Sequence, residues 1–482
     1  MTRNDSHVIG LDLSSESISG GIGNTSDLFD LQYLQRLNLA NNSFNNAAQI
    51  LSGFGKLVRL VHLNFSNSGF VGQIPLEISS LTRLIMLDIS TVYFLGSPRL
   101  KLEKPSLRML VRNLTKLTEI YLDRTEISAQ GDDWCQTISF SLPNLRVLSL
   151  SYCDLSGPLH PSLQMLQSLS VIHLSNNNLS GPIPEFIANF SNLTSLRLRN
   201  CQLFGTLLEK IIKVPTLQTL DLSNNGLLEG PLPKFPQKTS FQTLLLGYTN
   251  FSGKLPNSIG NLEGLSILIL GSCNFTGPIP NSLIIDLPFN QFEGQIAEFP
   301  NASSSSFAFL DMSSNKLEGS VPMSFFELRS LAVLDLSSKN FNGIMQLEMI
   351  QTRHQLRRLD LSYNGLSIET NGSYSSLPLF PKIYSLGLAS CKLQSFPDLR
   401  NQSLMFHLDL SNNQIYGEIP NWIWEVGNGN LLYLNLSHNF LVGIQEPYEI
   451  PSLDVLDLHS NQLLGKIPVS LRYIFYVNYW SN

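Results

Sequence analysis

The side chains best suited to catalysis or metal binding are scattered along this 482-residue chain and form no known constellation. The sequence contains no H-E-x-x-H zinc motif, no G-x-S-x-G nucleophile turn, no phosphate-binding P-loop and none of the protein-kinase signatures. The histidines occur singly, at His7, His62, His160, His173, His354, His407, His438 and His459. Each is better interpreted as a surface histidine than as a metal ligand or general base. We therefore expect no enzyme, no metal site and no cofactor.

The elements that position these residues come from a repeat of 24 residues. The pattern L-x-x-L-x-L-x-x-[N/C/T]-x-[L/F] begins at Leu145 and restarts at Leu169, Leu193, Leu217, Phe241 and Leu265. Apolar residues at positions 4 and 6 alternate with polar ones, which is the period of a strand. We expect positions 1, 4 and 6 of every unit to point inward. Asparagine at position 9 should satisfy backbone groups at the turn that leaves the strand.

This consensus resembles the leucine-rich repeat. Many units continue with x-G-x-[I/L]-P, as in the segments 181–184, 253–256 and 417–420, and this extension resembles the plant-specific class of that repeat. The resemblance implies an α/β solenoid, a leucine-rich-repeat superhelix with a parallel β-sheet on its concave face. Short helical or 3-10 returns are then expected on the convex face.

We interpret residues 1–482 as a single leucine-rich-repeat domain, because repeat units contact only their neighbours and share one continuous core. Nineteen repeats occupy residues 8–473, and residues 474–482 match the start of a truncated twentieth. We expect the N- and C-terminal caps to be missing. The sequence also shows no secretory signal and no apolar stretch long enough to span a membrane.

Three units depart from the period. The unit that opens at Leu84 takes 33 residues, and its insert is predicted to form a convex-side helix after Pro105. The next unit takes 28 residues and carries the segment 128–135. Together with the segment 142–150, this stretch resembles plant receptor-like proteins of the Verticillium-wilt-resistance type. The unit that opens at Leu265 takes only 17 residues, and we expect it to produce a local kink.

Composition narrows the range of partners. Charged residues make up 14% of the chain, and the net charge of -6 is spread out without a basic run. Nucleic acid is therefore not an expected partner, since it requires clustered Lys and Arg. Dense N-x-[S/T] sequons favour a glycosylated extracellular surface. The candidate glycosylation sites are Asn64, Asn113, Asn189, Asn192, Asn371 and Asn401.

Positions 2, 3, 5, 7 and 8 of each unit face solvent and are the candidate binding positions. Most carry the repeated L-D-L-S pattern, but several neighbouring units carry Arg and Tyr, types that are enriched in binding hot spots. The alternative is an ordinary polar sheet surface. We predict a concave ligand-binding patch formed by Glu119, Tyr121, Asp123, Arg124, Arg146, Tyr152, His173, Arg197, Arg199, Asn200 and Tyr248.

The cysteines fall into two groups. Cys153, Cys201, Cys273 and Cys391 occupy position 9 of their units, where Cys is a known substitute for Asn. Buried structural thiols are expected at the last three. Cys135 lies in the irregular segment, and we predict a disulfide between Cys135 and Cys153 across one edge of the repeat.

The resemblance to receptor-like proteins implies a non-enzymatic extracellular recognition domain. Such a domain senses a pathogen-derived or peptide ligand in plant immunity and signals through co-receptor kinases. The resemblance places the full-length family at the plasma membrane, on its extracellular side, anchored by a segment that this chain lacks. Two alternatives stay open: a secreted leucine-rich inhibitor of a microbial wall-degrading enzyme, and a truncated product without function.

Overall fold

The computed structural model describes residues 2–4, 7–23, 26–44, 48–91, 98–280, 287–298, 308–337, 340–350, 354–369, 381–447, 453–464 and 475–482. The chain forms two compact units. The first contains Met1–Ser252 and Asn261–Leu268, and the second contains Gly253–Gly260 and Ile269–Asn482.

The first unit is built on a sheet of short parallel strands, one from each repeat. Only its first strand, Thr2–Asn4, pairs antiparallel with the next. The parallel strands are His7–Asp12, Arg36–Asn38, His62–Asn64, Met86–Asp88, Glu119–Tyr121, Val147–Ser149, Val171–His173, Ser195–Arg197, Thr219–Asp221 and Thr243–Leu245.

The second unit contains an eight-stranded parallel sheet of the same kind. Its strands are Phe309–Asp311, Val333–Asp335, Arg358–Asp360, Ser385–Gly387, His407–Asp409, Tyr433–Asn435, Val455–Asp457 and Tyr476–Asn478. The strand Ile267–Ile269 spans the division between the two units. These two sheets confirm the leucine-rich-repeat solenoid predicted from the sequence.

A second series of short strands follows the turns after the main strands. They are Gly72–Gln73, Leu100–Lys101, Phe204–Gly205, Leu227–Gly230, Asn250–Lys254, Asn274–Gly277, Gln291–Gln295, Lys316–Glu318, Asn342–Gln346, Gly365–Glu369, Tyr416–Ile419 and Phe440–Ile444. Many of them contain the glycine of the x-G-x-[I/L]-P extension. Gly205, Gly253 and Gly417 adopt φ values of 84°, 80° and 92°, which favour glycine because it lacks a Cβ atom.

The return segments are mostly single 3-10 turns. The 3-10 helices are Asp27–Asp30, Ser52–Lys56, Leu76–Ser80, Pro161–Met165, Glu185–Asn189, Asn257–Asn261, Met323–Glu327, Leu347–Ile350 and Asn421–Gly429. The α-helices are Leu107–Val111, Gly131–Ser141 and Glu209–Ile212. The first of these confirms the helix predicted after Pro105. Among the described residues, no helix is both long and apolar enough to cross a membrane.

Positions 1, 4 and 6 of the repeat form the core, as predicted. In the unit that opens at Leu193, the side chains of Leu193, Leu196 and Leu198 are fully buried. The middle residue of each three-residue strand points inward, so the residues on either side of it face solvent. This alternation places positions 3 and 5 of successive repeats side by side on the exposed face of the sheet.

The asparagine at position 9 joins each repeat to the one before it. The Asn225 side chain is 1% exposed, and its Nδ2 donates to the carbonyl oxygens of Leu198 and Leu222 at 2.8 Å each. Its Oδ1 accepts hydrogen bonds from the backbone N–H groups of Cys201 and Leu203, at 2.9 and 3.0 Å. One side chain therefore satisfies backbone groups of two consecutive repeats, which would otherwise be buried without partners.

The same hydrogen bonds continue across the short unit of 17 residues. Asn290 occupies position 9 of the repeat that follows the short one, and it donates to the Leu270 carbonyl oxygen at 2.8 Å, while its Oδ1 accepts from Phe275 N at 3.1 Å. The sequence separation between Asn290 and Phe275 is 15 residues, against 22 between Asn225 and Leu203. The shortened repeat therefore keeps the asparagine hydrogen bonds to its neighbour. Residues 281–286 lie outside the described part of the chain.

The predicted disulfide between Cys135 and Cys153 is wrong, because both residues are buried free thiols. Cys135 belongs to the helix Gly131–Ser141, and its Sγ accepts the His160 backbone N–H at 3.4 Å. Cys153 Sγ donates to the Leu122 carbonyl oxygen of the preceding repeat at 3.2 Å. The two thiols thus serve different backbone groups. Cys201, Cys273 and Cys391 are buried free thiols, as predicted.

We predict that Asn225→Ala lowers the free energy of unfolding by about 2–4 kcal/mol, because it leaves buried backbone groups of two repeats without partners. Asn225→Cys is the matched control, since Cys201 occupies the same position in the preceding repeat and donates to a carbonyl oxygen there. It should cost less than the alanine. Urea unfolding of the three proteins measures the differences, and equal losses for both variants would contradict the hydrogen-bonding role.

We predict that the five thiols are unreactive in the folded chain. Burial raises the pKa values of Cys135, Cys201 and Cys391 to about 12, so few thiolates form at mildly alkaline pH. A thiol-specific reagent should therefore modify the protein only after unfolding in guanidinium, and should then count five thiols without prior reduction. A count of three under those conditions would restore the disulfide.

Candidate recognition surface

Position 5 of five neighbouring strands of the first unit forms one row on the solvent-facing side of the sheet. In this row Arg197 is exposed, Tyr121 and His173 are half-buried, and Ser149 and Asp221 are buried. Backbone pairing aligns Ser149 with His173, His173 with Arg197, and Arg197 with Asp221. Tyr121 aligns with Ser149 on the preceding side. The predicted residues Tyr121, His173 and Arg197 therefore lie in one line across the sheet, spaced by the distance between neighbouring strands.

The line begins at a group of acidic and phenolic side chains. The Tyr121 hydroxyl donates to Glu119 Oε2 at 3.2 Å. Burial, followed by the negative charge of Glu119, raises the pKa of Tyr121 to about 12. Tyr121 therefore stays protonated at physiological pH, and its single proton is donated to Glu119 unless a ligand takes the place of that carboxylate. Glu119 and Tyr121 are both half-buried, so part of each side chain remains accessible.

Asp123 holds the sheet together more than it offers itself to a ligand. Its carboxylate accepts the Ser149 hydroxyl at 2.7 Å and the Ser151 backbone N–H at 2.6 Å. Both donors belong to the next repeat. Asp123 is one of the predicted binding residues, but these contacts give it a structural role in the surface.

His173 occupies the centre of the line. Its Nε2 lies 2.9 Å from the Ser195 hydroxyl of the next strand. Burial is the main cause that lowers the pKa of His173 to about 4, and the positive charge of Arg197 adds to it. The imidazole is therefore neutral at neutral pH, and one of its nitrogens is engaged with Ser195.

Two exposed arginines follow His173 on the next repeat. Arg197 ends the strand Ser195–Arg197, and Arg199 follows at position 7. With its amide oxygen turned toward Arg199, Asn224 accepts hydrogen bonds from Nε and Nη2 at 2.8 and 3.1 Å. These bonds orient the guanidinium of Arg199. The pair therefore presents cationic, planar donors suited to a carboxylate.

Four of the predicted residues lie outside this line. Tyr152, Asn200 and Tyr248 occupy position 8, where the backbone is left-handed with φ values of 58°, 51° and 56°. Tyr248 is 63% exposed, and Tyr152 lies four repeats before it. Arg146 is exposed at position 2, before its strand begins. The predicted patch thus separates into a central line and an edge row.

The prediction is wrong for Arg124, which was expected to face solvent. Its side chain is only 7% exposed, and its backbone is left-handed with a φ of 69°. Position 8 begins the turn out of the strand, so its side-chain direction depends on the local turn and not on strand alternation. Arg124 therefore belongs to the packed turn.

Four of the candidate glycosylation sites are exposed, namely Asn113, Asn189, Asn192 and Asn401. Asn64 differs, because it is half-buried at position 5 of its strand and its Oδ1 accepts the Ser66 backbone N–H at 2.8 Å. Asn371 lies outside the described residues. The exposed sites fit glycan attachment, whereas a glycan on the Nδ2 atom of Asn64 would lie over the solvent-facing side of the sheet.

A hollow of about 480 Å³ on the first four repeats was not predicted. It lies over positions 3, 4 and 5 of these strands and mixes charged, amide, imidazole and thioether groups. Its lining residues are Gly10, Leu11, Asp12, Arg36, Leu37, Asn38, His62, Asn64 and Met86. The sequence signal was present at position 3, where Arg36, His62 and Met86 follow each other on successive repeats.

Comparison with known proteins supports this architecture. The family described as Leucine Rich Repeat matches residues 144–166, 168–190, 216–238, 405–426 and 452–474. Among solved structures, the ectodomain of the membrane receptor kinase GASSHO1/SCHENGEN3 from Arabidopsis thaliana, in complex with CASPARIAN STRIP INTEGRITY FACTOR 2, has a TM-score of 0.66 and 27% identity. The similarity covers 95% of this chain and 60% of that one. The Arabidopsis HAESA ectodomain, in complex with an extended IDA peptide hormone, has a TM-score of 0.64, 26% identity, and coverage of 88% and 73%.

Curated relatives come from the same plant. Receptor like protein 24 of Arabidopsis thaliana is 33% identical over 189 residues, which are 38% of this chain and 21% of that protein. Receptor-like protein 34 is 41% identical over 124 residues, or 26% of this chain and 13% of that protein. The chain is thus similar to plant leucine-rich-repeat receptor-like proteins at modest identity, and the matches span about a fifth or less of these relatives. The matched receptor-like proteins and receptor ectodomains are of non-enzymatic kinds.

We predict that His173 makes the stability of the first unit depend on acid. Its pKa is about 4 in the folded chain against an ordinary value of 6.5, so the unfolded chain takes up the proton first as the pH falls. The stabilisation is complete above pH 6.5 and is lost as the pH falls toward 4. After allowance for solvent screening, the loss amounts to roughly 2–3 kcal/mol.

His173→Ser is the matched variant, because Ser149 occupies the aligned position of the preceding strand. The free energy of unfolding of the wild type relative to this variant should fall between about pH 7 and pH 4, while the contributions of all other groups cancel in the difference. A difference that stays constant over this range would show that His173 is not buried in its neutral form.

Proposed function

We propose that this chain is a recognition segment of a plant cell-surface receptor-like protein, of the Verticillium-wilt-resistance type, that binds a peptide or protein ligand outside the cell. In this proposal the ligand is a pathogen-derived molecule or a peptide, and the role lies in plant immunity. The observation that carries the proposal is the line of Tyr121, His173 and Arg197 across the solvent-facing side of the sheet, with Arg199 beside it. Similarity to plant receptor-like proteins supports the biological setting.

Along about four strands, the line changes from an acidic end to a basic end. Its first end presents the carboxylate of Glu119 and the protonated hydroxyl of Tyr121, and its other end presents the guanidinium groups of Arg197 and Arg199. The neutral His173 lies between them. A linear peptide laid across the strands would meet these groups in sequence, so one ligand with a positive and a negative end would be bound in a single direction.

A rigid sheet face also suits this task energetically. The strands are held by backbone hydrogen bonds and by buried residues at positions 1, 4 and 6, so the exposed side chains start from an ordered scaffold. Pre-organisation of this kind lowers the entropy cost of binding. Arg and Tyr are also the residue types that contribute most to affinity when a partner covers them.

Signalling is proposed to pass through partner kinases. The described helices include none that could cross a membrane, and the matched relatives extend well beyond the region shared with this chain. Attachment to the plasma membrane belongs to the same proposal, and the similarity to receptor-like proteins supports it. The solved HAESA ectodomain was obtained with a peptide hormone ligand, which supports a peptide as the first ligand class to test here.

Peptides that bind the wild-type chain are first selected from a phage-displayed library of random linear peptides. We predict that these peptides bind the double variant Arg197→Ser and Arg199→Ser at least about tenfold more weakly, as expected when a hot-spot pair is removed. Serine is a conservative choice, since Ser149 and Ser151 occupy the same two positions two repeats earlier. Surface interferometry with the immobilised chain measures the change.

The control is the double variant Arg108→Ser and Arg112→Ser. These exposed residues lie in or just after the helix Leu107–Val111, away from the strands, and removing them changes the net charge by the same amount. Selected peptides should bind the control variant as they bind the wild type. Equal losses on both variants would reduce the effect to general charge, and equal retention on both would remove the arginine pair from the recognition surface.

A further inference from the structure

Two histidines on adjacent repeats of the second unit approach each other closely. His438 Nε2 and His459 Nε2 are 2.9 Å apart, and the ring centroids are 4.4 Å apart with the planes at 78°. Neither side chain is deeply buried: His438 is exposed and His459 is half-buried. Two ring nitrogens therefore converge on one point that is open to solvent.

A carboxylate orients one of the two rings. His459 Nδ1 lies 2.6 Å from Asp457 Oδ1, which also accepts the His459 backbone N–H at 3.1 Å. A carboxylate accepts hydrogen bonds and does not donate them, so the Nδ1 atom of His459 carries the proton. In the neutral ring the Nε2 lone pair of His459 is then directed toward His438, whose Nε2–H donates to it at 2.9 Å without metal. For both Nε2 atoms to bind a metal ion, the proton of His438 must move to its Nδ1 atom. A carboxylate behind a histidine in this way is the arrangement that fixes the ring of a metal ligand.

The backbone holds His438 in the matching place. Its φ of 53° is left-handed, and its N–H donates to the His459 carbonyl oxygen at 2.9 Å. This hydrogen bond belongs to the regular ladder between the two repeats, since Asn412 N bonds to the Ser437 carbonyl oxygen in the same way at 2.8 Å. This backbone hydrogen bond therefore places the two histidines side by side on adjacent repeats, and rotation of the side chains adjusts the distance between the rings.

We propose that His438 and His459 bind a divalent transition-metal ion of the zinc or copper type through their Nε2 atoms, with Asp457 orienting His459. The site is independent of the ligand surface proposed for the first unit. Imidazole nitrogen is a ligand that suits zinc, copper and nickel, whereas magnesium and calcium prefer oxygen ligands. Water fills the remaining coordination positions, because both rings are open to solvent.

The geometry needs only a small adjustment. A tetrahedral ion with metal–nitrogen distances of about 2.0–2.1 Å separates two ligand nitrogens by about 3.3 Å, so the rings must move apart by roughly 0.4 Å. The exposed His438 side chain can supply this movement by rotation. In the part of the chain that the structure describes, no group of three or more His, Cys, Asp or Glu side chains could hold a metal ion. A two-histidine site is therefore exchangeable and weaker than a structural zinc site.

Other histidines of the chain lack this arrangement. His407, in the same unit, stacks on the Tyr433 ring with centroids 4.2 Å apart and planes at 15°. In the first unit, the Nε2 atom of His173 is hydrogen-bonded to the Ser195 hydroxyl. His407 is therefore the matched control for any metal binding to a single surface imidazole.

The test is calorimetric titration of the untagged full chain with zinc chloride at neutral pH, repeated with copper chloride. We expect one saturable equivalent of zinc in the wild type and tighter binding of copper. His438→Asn and His459→Ser should each remove this equivalent, whereas His407→Ser should leave it unchanged. Asp457→Asn should weaken it about 10–100-fold, as does loss of a carboxylate behind a metal-bound histidine.

Each variant reproduces a residue that the chain already uses at the same position. Asn412 is the counterpart of His438, Ser437 of His459, Asn435 of Asp457 and Ser385 of His407. Asn435 Oδ1 accepts the Ser437 backbone N–H at 3.1 Å, so the turn survives the Asp457→Asn change. Unchanged melting temperatures without metal would verify this. Absence of saturable heat in the wild type, or equal zinc affinity of the wild type and His438→Asn, would overturn the proposal.

Discussion

The hydrogen bonds of the position-9 asparagine are the interaction on which the rest of the structure depends. A strand of three residues followed by a tight turn buries N–H and C=O groups that regular secondary structure leaves without partners. Asn225 gives partners to four such groups, on two consecutive repeats, at distances of 2.8 to 3.0 Å. The same arrangement recurs at Asn42, Asn177, Asn290, Asn364, Asn413, Asn439 and Asn461. Each of these side chains donates a hydrogen bond to the repeat before it. The spacing between repeats is therefore set by these hydrogen bonds as well as by the packing of the buried leucines.

This constraint decides which positions can carry function. Positions 1, 4, 6 and 9 are committed to the core and the ladder, so variation is confined to the exposed positions between them. Even at those positions, some side chains are held by contacts within the protein. Asp123 is bound to the next repeat and Arg124 is packed into a turn, whereas Arg197 and Arg199 remain accessible on the sheet. The surface that a ligand can reach is therefore narrower than the set of unusual residues in the sequence.

The repeat period made most of the fold predictable. Strand positions, buried leucines, the role of asparagine and the helix after Pro105 all follow from local pattern and were confirmed. The exposure of side chains at position 8 was not predictable, because strand alternation no longer fixes their direction in the turn: Arg124 is buried and Tyr248 is exposed. It was equally unpredictable that Cys135 and Cys153 are buried as separate free thiols. The contact between His438 and His459 was also out of reach. It joins position 8 of one repeat to position 7 of the next, and only the register between repeats brings these two rings together.

If the position-9 asparagines couple each repeat to its neighbours and thereby fix the recognition surface, removing one of them should loosen the two repeats that share it. Hydrogen–deuterium exchange on the wild type and on Asn225→Ala measures this coupling. We expect faster exchange in the variant at the segments 198–203 and 217–228, which share the Asn225 side chain, with unchanged exchange at the first repeats, residues 34–91. Faster exchange spread evenly over the whole chain, or no change around residue 225, would contradict it.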